Sequence, residues 1–204
     1  GASREMTESE YELCKKNNVQ NITKLQIGYD GITIANHRDA PKFHFSLDQL
    51  YHAIGNKISE NGKLIDNNKQ LWSDISADFP PVPIRIYGPS ITSGTSDILI
   101  SIIIAPHCHR LRKELSLNQL QFAECMNIRT DGSFKAVGEN DNLIVHKLIL
   151  DHTSLGIFGY NFLSNNDTVL QGSTINNISP DSGTIFNHSY PLSRPLFVYV
   201  KKER

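Results

Sequence analysis

Apolar positions along the chain follow two periods, and the switches between them mark the expected elements. "TESEYELCKK" (7–16) carries a capping box, Thr7 with Glu10, and predicts a short helix ending in lysines. "LQIGYDGITIAN" (25–36) alternates and is rich in β-branched residues, which predicts one or two strands with a turn at Asp30-Gly31. "FSLDQLYHAIGNK" opens on a Ser46 cap and places Leu47, Leu50, Tyr51 and Ile54 at helical spacing. Prolines break "ADFPPVPIRIYGPS", within which a short strand is expected at Ile84 to Tyr87. The apolar run after Thr95 predicts a helix reaching about Ile103, and "LSLNQLQFAECM" predicts another.

A turn at Asp131-Gly132 precedes "GENDNLIVHKLILDH", whose Leu143, Ile144, Lys147 and Leu148 continue a helix from a polar start. "SLGIFGYNFL" reads as a buried strand and "SRPLFVYVKK" (193–202) as another. Strands alternating with helices predict an α/β chain with a largely parallel sheet. Neither an internal repeat nor a low-complexity segment interrupts this pattern.

Composition narrows the function classes. With 204 residues, 39% hydrophobic and 20% charged, the chain can bury a sizeable core as one large domain or two small ones. A formal net charge of −1 and scattered Lys and Arg argue against nucleic acid as a partner. "ILISIIIA" (98–105) is too short for a membrane span and predicts a buried element instead. The opening "GASREMTESE" has no basic or apolar leader pattern, so any targeting signal is expected to lie outside this sequence. Cys14, Cys108 and Cys125 have no metal-type spacing, and their odd number leaves at least one without an intramolecular partner.

The chemistry is concentrated at Ser93, Gly94, Thr95 and Ser96. Small hydroxyl residues around a glycine, directly before an apolar helix, offer uncapped N–H groups, hydroxyl donors and the positive end of the helix dipole to an anion. The same four residues also suffice as an ordinary helix cap. His107-Cys108-His109 has no second ligand pair and reads as a solvated turn after Pro106, so no metal is expected. Glu139, Asn140, Asp141 and Asn142 read as the cap of the helix that follows them rather than a hydrolytic carboxylate pair. Arg4 taken alone is a solvated charge. Asn-x-Ser/Thr triplets at Asn21, Asn166 and Asn187 matter only in a glycosylating pathway. No nucleophile-elbow, zincin, Walker or dinucleotide motif is present, and no enzymatic activity or cofactor is expected.

Taken in order, "GASREMTESEYELCKKNNV", "IGYDGITIAN", "YGPSITSGTSD", "GENDNLIVHKL", "LGIFGYNFL" and "YPLSRPLFVYVKK" resemble the phosphate-binding proteins of bacterial ABC importers. The resemblance implies a type II periplasmic-binding-protein architecture, with two α/β lobes joined by crossing strands and phosphate held between them. On that likeness Ser93, Gly94 and Thr95 donate to phosphate, with Ser96 beside them, and Ser3 and Arg4 face the same cleft. "GITIAN" and "LFVYVKK" resemble the crossing strands. Residues 31–189 would then be one largely complete lobe, and 1–30 with 190–204 a remnant of the other. The implied partners are inorganic phosphate and the transmembrane permease subunits of the transporter, in the periplasm.

This chain departs from the family pattern in three ways. It begins partway through the family's first lobe, it ends soon after the second crossing strand, and two side chains differ. Many members have Asp where Arg4 stands, an acceptor for a protonated phosphate oxygen, although one branch carries Arg. Many relatives in that branch have Arg where this chain has Ser96. One lobe supplying three or four donors implies millimolar to high-micromolar affinity, at about 1.5–3 kcal/mol per charged hydrogen bond. A repurposed lobe acting as an interaction protein is the alternative, with self-association through exposed strand edges. The likeness also places Cys14 in a different lobe from Cys108 and Cys125, with its partner expected outside this sequence.

Overall fold

The structure, a computed structural model, describes residues 2, 4–90, 93–138 and 140–201. Helix α1 (Glu8–Lys16) precedes strand β1 (Ile22–His37), followed by β2 (His44–Phe45), α2 (Leu47–Ile54) and the hairpin β3 (Lys57–Glu60) and β4 (Lys63–Asp66). A 3-10 turn (Trp72–Asp74) and β5 (Ile86–Gly88) lead to α3 (Gly94–Ile98), a π-helical stretch (Leu99–Ile104) and α4 (Ala105–Leu115). Next come α5 (Gln119–Cys125), β6 (Phe134–Ala136), α6 (Asp141–Leu150), β7 (Leu155–Gly159) and α7 (Tyr160–Asn165). The described chain closes with β8 (Leu170–Gly172), β9 (Thr174–Ile175), α8 (Ser182–Phe186) and β10 (Ser193–Lys201).

The α/β class holds, but the sheet is mixed rather than largely parallel. Its order is β10-β1-β7-β5-β6, with β8 also on β1. Only β5 runs parallel to β6 and β7, whereas β1 is antiparallel to β7, β8 and β10. The βα units generate the parallel part through their helical crossovers. β1 and β10 pair instead as a two-stranded ribbon that alternation of elements alone does not reveal.

The expected turn at Asp30-Gly31 is absent. β1 passes straight through, with Asp30 opposite Arg194 and Gly31 opposite Ser193 on β10. Gly31 is there for packing, because a Cβ would run into the side chain of Ile185. Residues 24–27 are exposed in the ribbon, whereas 31–36 are buried on both faces. The short strand predicted at Ile84 begins two residues later, since the Ile84 N–H donates to the Gln70 carbonyl (2.8 Å) instead of a ladder partner.

The helix after Thr95 is longer than its apolar run. It starts at Gly94 and continues through Pro106 to Leu115 in three segments. Proline lacks the N–H that an α-helix needs and its ring crowds the carbonyl four residues back. The widened turn accommodates it: the Ala105 N–H donates to Ile100, five residues away, just before Pro106. His107-Cys108-His109 is consequently helical, not a solvated turn, and His107 and Cys108 are buried.

Strand alternation divides the core between two layers. Ile32 and Ile34 of β1, with Leu155 and Ile157 of β7, face Ile98, Leu99 and Ile103 of the long helical run. Ala35 and Phe158 face Ile144, Val145 and Leu148 of α6 on the opposite side. Cys108 and Cys125 form a disulfide joining α4 to α5, and Cys14 is a free thiol. Asn140 caps α6 by accepting from the Asn142 N–H, as the polar start predicts. Glu139 lies outside the described residues. Among the described residues, no helix is long and apolar enough to cross a membrane.

Candidate anion-binding site

The topology creates a crevice at one edge of the sheet. β5, β6 and β7 are parallel, and each delivers the chain at its carboxyl end to a helix start, at Gly94, Asp141 and Tyr160. β6 and β7 flank β5 on opposite sides, and the helices that follow β5 and β6 lie on opposite faces of the sheet. In open α/β sheets such a reversal of strand order leaves a gap beyond the strand ends, where ligands bind.

The residues at Gly94 are arranged by local hydrogen bonding. Ser93 has the extended backbone of an N-cap (φ −82°, ψ 153°), and its Oγ accepts from the Ser96 N–H at 3.1 Å. The Ser93 N–H donates to the Ser90 carbonyl, and Asp97 N–H donates to the Ser93 carbonyl. Among the described residues, none accepts from the N–H groups of Gly94 and Thr95 or from the Thr95 hydroxyl. Gly94 is exposed and Thr95 half-buried. The cap and the open donors therefore coexist, because one hydroxyl satisfies only part of a helix start.

Ser96 departs from the expected donor set. It is fully buried, and its Oγ donates to the Ser90 carbonyl at 2.7 Å, closing the loop from within. Both its backbone and hydroxyl donors are thereby occupied. Ser3 lies outside the described residues. Arg4 is exposed, and its guanidinium forms a two-pronged pair with Glu10 (2.8 Å each). That arginine, with two backbone and side-chain donors from Thr7, draws the Glu10 carboxyl down to about 2.

Arg194 is the residue that sequence reasoning missed. Its Nε and Nη2 donate to Asp30 Oδ2 (3.1 and 2.9 Å), and its Nη1 donates to the Gly94 carbonyl at 2.8 Å. One guanidinium thus ties β10, β1 and the start of the long helix together. A cavity of about 320 Å³ lies alongside, lined by Arg4, Asp97, Ile98, Ser101 and Arg194. It flanks the first turns of the helix, rather than enclosing Ser93 to Thr95. Nearby, burial pushes the Asp141 carboxyl up, and the Asp30 carboxylate adds to that shift, against a weak bond from the Gly159 N–H (3.5 Å). The crevice therefore combines two guanidinium groups with carboxylates from Asp30, Asp97 and Glu10.

The His-Cys-His stretch belongs elsewhere. His107 Nε2 lies 2.6 Å from Asp48 Oδ1 and its ring stacks on Tyr51, while His109 packs against Phe122. With Cys108 in the disulfide, the three side chains address three different partners.

Comparison with known proteins sets this geometry in a family. Residues 1–204 match the family described as the PBP superfamily domain. Protein SphX of Synechococcus elongatus is 25% identical over 99% of this chain and 53% of its own length. The phosphate-binding protein PstS of Staphylococcus haemolyticus is 26% identical over 99% of this chain and 54% of its own. The chain thus spans about half the length of these relatives. Its fold is shared by a possible phosphate binding protein from Planctomyces limnophilus, with a TM-score of 0.65 and 24% identity over 98% of this chain and 63% of that one. An ABC-type phosphate transport receptor from Vibrio cholerae superposes with a TM-score of 0.64 at 16% identity, covering 99% and 66%. The chain is a member of the PBP superfamily domain family.

Proposed function

We propose that the chain binds inorganic phosphate non-covalently in the crevice at Gly94, as a solute-recognition part of an ABC import system. The observation that carries this reading is the helix start at Ser93-Gly94-Thr95, where two N–H groups and the Thr95 hydroxyl have no partner among the described residues, beyond the carboxyl edge of the sheet. Neutral donors and the helix dipole suit a tetrahedral oxyanion without requiring a surplus of positive charge. Relatives named as phosphate-binding proteins align over almost the whole of this chain, which supports the same ligand here. Residues 31–189 contribute the helix start, and Arg4, within the 1–30 and 190–204 portion, contributes to the facing wall.

The same reading implies docking on transmembrane permease subunits and no covalent chemistry. It also places the protein in the periplasm. The Cys108–Cys125 disulfide agrees with that, since such bonds persist in oxidising compartments outside the cytosol. Three donors of the crevice, at about 1.5–3 kcal/mol each for bonds to a charged group, must offset phosphate desolvation and loss of ligand freedom. The expected affinity is therefore weak, in the millimolar to high-micromolar range. Thr95→Val, which removes one donor and keeps the shape, is expected to weaken phosphate binding about tenfold, measured by phosphorus NMR titration. Unchanged affinity in Thr95→Val would move the site away from the helix start.

A further inference from the structure

A second cluster lies at the opposite edge of the sheet. β1 runs antiparallel to β7, so that Ile32, next to the crevice, pairs with Gly159, while His37 emerges at the other end near the turn that precedes Leu155. From Asp30 to His37 the strand covers about 23 Å, at about 3.3 Å per residue. We propose that His37, Asp39 and His152 there form a binding site for a divalent transition-metal ion of the zinc type.

Three geometric facts converge on this assignment. First, nitrogen and oxygen atoms of these three residues lie within 4.8 Å of one another. Second, His37 Nδ1 and Asp39 Oδ2 are 3.6 Å apart, too long for a hydrogen bond. Two ligands at about 2.0–2.1 Å from a tetrahedral ion stand roughly 3.4 Å apart, so this separation is nearly a chelate bite. Third, the Asp39 N–H donates to His37 Nδ1 at 3.2 Å, which makes that nitrogen the unprotonated one of the ring, and an ion taken there displaces this hydrogen bond. The His152 ring stacks on that of His37, with centroids 3.5 Å apart and planes 6° from parallel, which brings the second imidazole alongside the first. For both rings to address one ion His152 must leave the stack, because the lone pairs of parallel rings lie in separate planes.

The supporting backbone is held on both sides. The His37 carbonyl accepts from the Ala40 N–H (3.1 Å) and from Gln171 Nε2 (3.3 Å), and Arg38 donates to the carbonyls of Val169 (2.9 Å) and Asp167 (2.6 Å). Beside His152, the Asp151 carboxylate accepts from the Thr153 N–H and hydroxyl and from Arg85. Such anchoring lowers the ordering cost of capture. Two imidazoles and one carboxylate suit zinc, nickel or copper better than calcium or magnesium, which favour oxygen ligands. Three protein ligands leave a fourth position to water.

The test is calorimetric titration of zinc chloride into the chelator-stripped 204-residue chain carrying Cys14→Ser, which removes the free thiol as a competing ligand. The expected result is one ion per chain at micromolar affinity, weakened at least tenfold by His152→Ala and by His37→Gln. His188→Ala is expected to bind as the parent does. Should His37→Gln fail to fold, Asp39→Asn at an exposed turn carries the same expectation. Cobalt substituted for zinc is expected to give a four-coordinate spectrum without thiolate charge-transfer bands. No saturable zinc binding below millimolar, or binding that survives loss of His152, would overturn the proposal. Phosphate affinity is a separate property of the other edge and is expected to be the same with and without zinc.

Discussion

Replacing Arg194 with methionine keeps most of the stem packing and removes the guanidinium that joins two strands to the helix start. Three hydrogen bonds go with it, two to Asp30 and one to the Gly94 carbonyl. Arg194 and Asp30 side chains are 13% and 29% exposed, between the limits of a buried pair and a surface pair. Breaking a buried pair costs about 3–5 kcal/mol, whereas an exposed one contributes about 0.2–1 kcal/mol. The expected loss is therefore about 2 kcal/mol, seen as a lower midpoint in guanidinium chloride with an unchanged slope. In thermal melts it corresponds to about 4–8 °C for a chain of this size. Part of the cost is the stranded Asp30 carboxylate, left beside Asp141, whose own carboxyl is already pushed up by burial and then by Asp30. Asp30→Asn should therefore rescue some of the loss, with a coupling of about 1 kcal/mol or more in the double-mutant cycle. Single effects that simply add, to within about 0.5 kcal/mol, would refute the claim that this pair fastens the crevice.

Two further outcomes follow from the packing around the helices. Reducing the Cys108–Cys125 bond, or replacing both residues with serine, releases a loop with a sequence separation of 17 and is expected to cost about 3 kcal/mol in urea denaturation; a change below about 0.5 kcal/mol would show that the α4–α5 junction is held by packing alone. Burial works to raise the Asp131 carboxyl, but Arg129 and the Ser133 N–H overcome it and hold it down at about 2. A depressed carboxylate contributes stability above its unfolded value, near 3.9, and loses that contribution as pH falls from about 4 toward 2. Discounted for partial exposure, Asp131→Asn should cost about 1 kcal/mol at pH 7 and almost nothing at pH 2. A cost independent of pH would point to lost geometry rather than charge.

Much of the α/β scaffold is legible in the chain because local signals and burial agree. The capping box at Thr7, the Ser46 cap, the polar start at Asn140 and the β-branched alternation over 25–36 all lead to the elements observed. Where reading failed, a distant contact decided the outcome. Asp30-Gly31 has turn chemistry, but the partners Arg194 and Ile185 lie far along the sequence and hold both residues in a strand. Pro106 looks like a stop, yet the preceding π turn absorbs it, and the buried face of His107 and Cys108 needs α2 and α5 to make sense.

The loop at Ser93 reads correctly as a capped helix start. The inward turn of Ser96 depends on the Ser90 carbonyl, which no periodicity reports. Arg194 carries no motif at all. Its role comes from strand register, because the bulge between Gln26 and Gly28 shifts the ribbon by one residue and places Asp30 opposite it.

Equilibrium dialysis of the intact chain against labelled phosphate, with sulfate as competitor, tests the central claim most directly. The account predicts saturable binding between high-micromolar and millimolar, weakened about tenfold by Thr95→Val. Absence of saturable phosphate binding up to several millimolar would contradict it, and sulfate binding with equal strength would reduce the crevice to a general oxyanion site.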